Sequence, residues 1–157
     1  MQQNKIQNEE NVARAVFHSS MMEEGGTISY AAFTLRHNES YFSVARMTVS
    51  CWFDDIMKIP QSDTRQLSGY CRMNVGTIRA IGLQHGSEML SFDVVDKSSP
   101  TNASHAGIVV SYAGNQLKGD NKLILKPVPK DMSTSRILMR IQRKLTKIAQ
   151  LDYVQFH

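Results

Sequence analysis

Met89-Leu90-Ser91-Phe92-Asp93-Val94-Val95, Ala106-Gly107-Ile108-Val109-Val110-Ser111-Tyr112 and Lys122-Leu123-Ile124-Leu125-Lys126-Pro127-Val128 follow one another along this chain. Leu90, Phe92 and Val94 alternate with Ser91 and Asp93, the period-two pattern of a half-buried strand. Polar or glycine-bearing stretches, 96–104 and 113–121, separate the three segments, and neither carries the apolar spacing of a helix. Successive strands without a crossover helix exclude a doubly wound α/β arrangement and predict antiparallel pairing. Pro127 and Pro129 place the third segment at an edge or a strand end.

Upstream, Tyr41–Val49 is aromatic and β-branched and reads as a strand. Ser50 is positioned to cap a short helix through Trp52, Ile56 and Met57, which ends near Ile59 because Pro60 follows. Residues 61–69 are polar and read as a loop or one helical turn, and Val75–Ile81 reads as a further strand. Residues 9–18 fit a strand and a helix equally, since acidic residues open the segment while Val12, Val16 and Phe17 suit a sheet.

Downstream, Ile137, Leu138, Ile141, Leu145 and Ile148 recur at three- and four-residue steps after Ser133 or Ser135 as N-cap. Arg136, Arg140, Arg143, Lys144 and Lys147 fall on an adjoining face. The whole is expected to be a single α+β domain over 9–157 after a flexible lead-in at 1–8. It carries a mostly antiparallel sheet of four to six strands and a C-terminal amphipathic basic helix.

The 157 residues, 41 % hydrophobic and 20 % charged, have the composition of one globular domain. No apolar run approaches the ~18 residues of a membrane helix, and the first residues lack a secretory pattern, so a cytoplasmic, membrane-free protein is expected. Cys51 and Cys71 have no neighbouring ligands at zinc spacing and are expected to be buried free thiols; no metal or cofactor is expected. Gly25-Gly26 lacks the lysine of a phosphate loop. His18-Ser19-Ser20 lacks the second copy that a two-histidine phosphoesterase needs, because His105 is followed by Ala106-Gly107-Ile108. Arg14, Glu39 and Ser43 fit the residue types of a small ADP-ribosyltransferase without its spacing.

Two functional expectations follow. Six cations against two carboxylates from Lys130 onward carry the whole formal charge of +4, leaving 12 of each sign in residues 1–129. A stripe at 136–147 is suited to a phosphate backbone or to a partner protein, a second copy of this chain included. The first expectation is therefore a macromolecule-binding module working through Arg136, Arg140, Arg143, Lys144 and Lys147. The second is a small hydrolase or transferase at the loop entering His105, where Asp93 or Asp96 would orient the imidazole and Ser104 would supply a hydroxyl.

Overall fold

The computed structural model describes residues 5–18, 21–22, 27–35, 39–63, 65–112, 115–118, 122–123 and 134–153. Its frame is a curled sheet built from β1 (Asn11–Phe17), β2 (Phe42–Arg46), β3 (Leu67–Asn74), β4 (Leu83–His85), β5 (Glu88–Asp96), β6 (His105–Tyr112) and β9 (Gln150–Tyr153). The spatial order is β4-β5-β6-β2-β1-β3-β9, with antiparallel neighbours throughout. A hairpin of β7 (Asn115–Lys118) and β8 (Lys122–Leu123) branches from the end of β6. The helices are α1 (Trp52–Met57), α2 (Val75–Arg79) and α3 (Thr134–Ile148). An α+β chain with an antiparallel sheet is thus what forms, but seven strands lie on the main path where four to six were expected.

Four local readings need correction. Val75–Ile81 is no strand. The Asn74 side chain accepts the Thr77 amide at 2.9 Å, which caps a helical turn and outweighs the β-branched content of the segment. The polar stretch 61–69 runs into β3, whose inward residues Leu67, Gly69, Cys71 and Met73 alternate too softly in the sequence to announce a strand. Ser50 does not cap α1; Cys51 occupies that place, and its side chain makes no capping bond to the helix amides. The chain also continues past α3 into β9, which pairs Tyr70 with Asp152 and Cys71 with Leu151. The ambiguous segment 9–18 is β1, hydrogen-bonded between β2 and β3. Of the expected lead-in, residues 1–4 lie outside the described residues. Ile6 is buried in the core, and the carbonyl of Asn8 accepts the Gly76 amide. Of the 122–128 strand only Lys122–Leu123 falls within the described residues.

The two faces of the sheet differ in size of side chain. Val12 and Val16, Phe42 and Val44, Leu90, Phe92 and Val94, and Ile108 and Val110 face one way, under Ile137, Leu138, Ile141 and Leu145 of α3. That layer is the main core. The opposite face carries Ala13, Phe17 and Ala45 against Ile56 of α1. Alternation on β1 and β2 therefore sends bulk to one side and alanines to the other, and the alanine side leaves room.

β1 and β2 pair only at Val12↔Arg46 and Ala13↔Ala45, although both strands run on. Beyond that point they splay. The Arg14 side chain enters the gap, its Nε donating to the Ala32 carbonyl at 2.7 Å and a terminal nitrogen to the Ser43 carbonyl at 2.8 Å. Its guanidinium carbon lies 5.5 and 5.6 Å from the ring centroids of Phe33 and Phe42. A buried cation is tolerated there because carbonyl dipoles and ring faces replace the water it loses.

Candidate functional site

The splay opens a cleft of about 420 Å³ whose apolar lining includes Ala13, Ala15, Phe17, Ile56 and Ile59. Its polar lining includes Glu39, Ser43, Asp55, Asn102 and His105, with Arg14 at the parting of the strands. A volume in this range, apolar with a few converging polar groups, is that of small-molecule sites. Glu39 and Ser43 thus meet Arg14 here, three residues that the sequence alone left scattered.

His105 opens β6, and its Nε2 lies 3.2 Å from Ser43 Oγ of the neighbouring β2. The pair exists because the register sets Ser43 opposite Gly107 and Ala45 opposite His105. Gly107 has its own part: a Cβ there would stand 2.6 Å from Cδ2 of Tyr41, so only glycine lets the Tyr41 ring lie across the strand. Tyr41 in turn packs its ring 5.7 Å from the imidazole, and Lys97 Nζ sits 4.8 Å from the Tyr41 ring centroid. Burial pushes the His105 imidazole below the ordinary histidine value, and the Lys97 backbone only partly offsets it. A neutral ring able to accept a proton is the result.

Ser104 precedes His105 and is fully buried. Its hydroxyl donates to Asp55 Oδ2 at 2.6 Å and its backbone amide to the same oxygen at 3.1 Å. Those bonds, led by the hydroxyl, hold the Asp55 carboxyl below the usual range. Cys51 Sγ also donates to Oδ2, at 3.3 Å, and that bond raises the thiol's pKa. Ser104 is therefore committed to anchoring the loop against α1, and the hydroxyl presented to the imidazole is that of Ser43.

The two predicted carboxylates lie apart from the imidazole. Asp93 takes the Nε of Arg79 at 2.8 Å and its own neighbour's amide, Val94, at 2.8 Å. Asp96 receives the Ser98 amide at 2.7 Å and approaches Arg46 at 3.8 Å. Neither hydrogen-bonds the imidazole; Asp96 and Asp55 act on it through charge alone. Ser43 and Asp55 are what the sequence reading missed as partners of this loop. The available signal was weak: small residues at 13, 15 and 45 alternating with bulky ones mark a face with space, and Ser43 lies on it.

On α3, Arg140, Arg143, Lys144 and Lys147 keep one stripe, while Ile137, Leu138, Ile141 and Leu145 are buried opposite. The side chain of Arg136 lies outside the described residues. Arg143 reaches within 5.9 Å of the Tyr30 ring centroid, and Tyr30 and Met139 are about half exposed beside it, at 48 % and 49 %. Among the described residues no three His, Cys, Asp or Glu side chains are grouped to hold a metal ion, and no helix is long and apolar enough to cross a membrane. Comparison with protein-family models, with curated proteins and with solved structures finds no match, so the site is read from its own geometry.

Proposed function

We propose that the chain is a small hydrolase or transferase working at the Ser43–His105 pair in the β1–β2 cleft. The observation that carries this reading is the 3.2 Å approach of Nε2 to Oγ inside a cleft of ligand size. With Nε2 unprotonated, the Ser43 hydroxyl donates to it. His105 then takes that proton as Oγ bonds to the electrophilic carbon of an acyl substrate. The bond to the leaving group breaks, and the proton passes from His105 to the leaving atom. Water, deprotonated by the same imidazole, cleaves the acyl–Oγ bond and restores the hydroxyl; another nucleophile in place of water gives transfer. Asp55 keeps the loop in place through Ser104 and takes no proton.

The test is intact mass spectrometry after treatment with a fluorophosphonate serine probe. One adduct on Ser43 is expected, absent in Ser43→Ala and in His105→Gln. A folded wild-type protein that stays unlabelled, or one labelled equally in His105→Gln, overturns the reading.

A second reading rests on the α3 stripe, where an exposed aromatic ring and Met139 accompany the cations. There the chain binds a nucleic-acid backbone or an acidic protein, and each neutralised phosphate steepens the salt dependence. Replacing Arg140, Arg143, Lys144 and Lys147 by Gln is expected to abolish retention of a fluorescent oligonucleotide at low salt without lowering Tm. Equal retention by the variant removes this reading.

A further inference from the structure

The missing rungs of the β1–β2 ladder point to the class of ligand. Ala13 and Ala45 are opposite one another, so Ala15 and Ser43 are the next residues in line whose main-chain groups face each other. Asn11 fixes the side: its carbonyl accepts the amide of Met47, the residue just past β2, and alternation then turns Ala13 and Ala15 toward β2 as well. The Ala15–Ser43 pair does not form, and the Ser43 carbonyl goes instead to Arg14. Phe17, the next residue on that side, is covered locally, its amide directed at Met21 Sδ and its carbonyl accepting the Met21 amide. Among the described residues, Ala15 is thus the place on this edge where the strand's donor and acceptor turn to the cleft with no β2 partner in register.

We propose that this vacated rung recognises a secondary amide with an apolar body. Its N–H and C=O would take the ladder position that β2 leaves to Ala15. Its body would lie against Phe17, Ile56 and Ile59, and its carbonyl carbon would sit on the Ser43 side of the cleft. The inference takes the Ser43–His105 cleft as the ligand site and names what enters it. Main-chain pairing gives it a preference that an apolar pocket alone lacks: a ligand without the N–H leaves a strand carbonyl unmet.

The probes are N-methylacetamide, N-hexylacetamide and its tertiary analogue N-hexyl-N-methylacetamide, titrated into the full chain and followed by backbone amide shifts of Ala15 and Ser43 and by the His105 ring. N-hexylacetamide is expected to bind tightest. Each buried methylene should add about fourfold over N-methylacetamide, and the tertiary amide should bind about tenfold more weakly. Ala45→Leu, which fills the cleft, should abolish the shifts while Tm is kept. Equal binding of secondary and tertiary amides overturns the rung and leaves a merely apolar cleft. No binding of any of the three also overturns it. Tight amide binding in a protein that the fluorophosphonate does not label supports the rung and overturns the hydrolytic reading alone.

Discussion

One carboxylate oxygen, Asp55 Oδ2, holds both the hydroxyl and the amide of Ser104, at 2.6 and 3.1 Å. It joins α1 to the residue before His105 across 49 positions of sequence. Asp55→Ala leaves a buried hydroxyl and amide without an acceptor and is expected to cost about 2 kcal/mol in urea unfolding. The His105 ring resonances should shift in the same variant, because its backbone loses that anchor. An unchanged denaturation midpoint would show that the loop finds other partners.

Glu10 and Arg46 form a fork, with Nε–Oε1 and terminal N–Oε2 both at 2.9 Å, and Thr48 and the Gln7 amide add bonds at 2.8 Å. Burial opposes the charge, but those donors outweigh it and keep the Glu10 carboxyl below its ordinary value. Its contribution is present above the unfolded glutamate range and is lost as pH falls through the lower folded value. Glu10→Ala should cost about 3 kcal/mol, a drop in Tm on the order of 10 °C. Glu10→Gln should flatten the acid limb of a stability–pH curve.

The depressed His105 pKa makes two pH predictions. Labelling of Ser43 needs the neutral ring, so its rate should rise with pH with a midpoint below about 6.5, the ordinary histidine value. Stability moves in the same direction. Below about 6.5 the unfolded chain binds a proton that the folded ring resists, so stability falls as pH drops toward the folded value. An NMR titration of the His105 ring gives that value directly, and a midpoint above the ordinary one would refute both.

Gly107→Ala drives a methyl into Tyr41 and should destabilise by about 1–3 kcal/mol. The same substitution in a Tyr41→Ala background should cost far less. A double-mutant cycle measures the difference, and additivity would exclude the clash as the cause.

Neither thiol is poised for chemistry. Burial pushes Cys71 up to about 11, and the bond to Asp55 raises Cys51. Iodoacetamide at neutral pH should modify both slowly in the folded protein and rapidly in urea.

The helix α3 and the strand β5 were readable from the sequence because each buries one face along its whole length, so period and burial coincide. β9 was not readable. Gln150–Tyr153 does alternate polar and apolar residues, but four residues directly after a helix are too short a run to announce a strand, and the segment pairs along the β3 edge. The α2 turn was hidden for a related reason: one Asn74 bond overrides the preference of five residues. At the site, His105 and Ser104 were found as loop residues, whereas their partners Ser43 and Asp55 are neighbours only through the β2–β6 register and the α1 packing.

The β2–β6 seam bears on synthesis at the ribosome. Phe42–Ala45 must wait for His105–Ile108, some sixty residues later, before that edge is closed. Until then a nascent β1–β2–β3 sheet offers a bare apolar margin of Phe42 and Val44, open to a chaperone or to another nascent chain. Slowing translation between Asp96 and His105 should lengthen that interval and lower the soluble yield without altering the folded product.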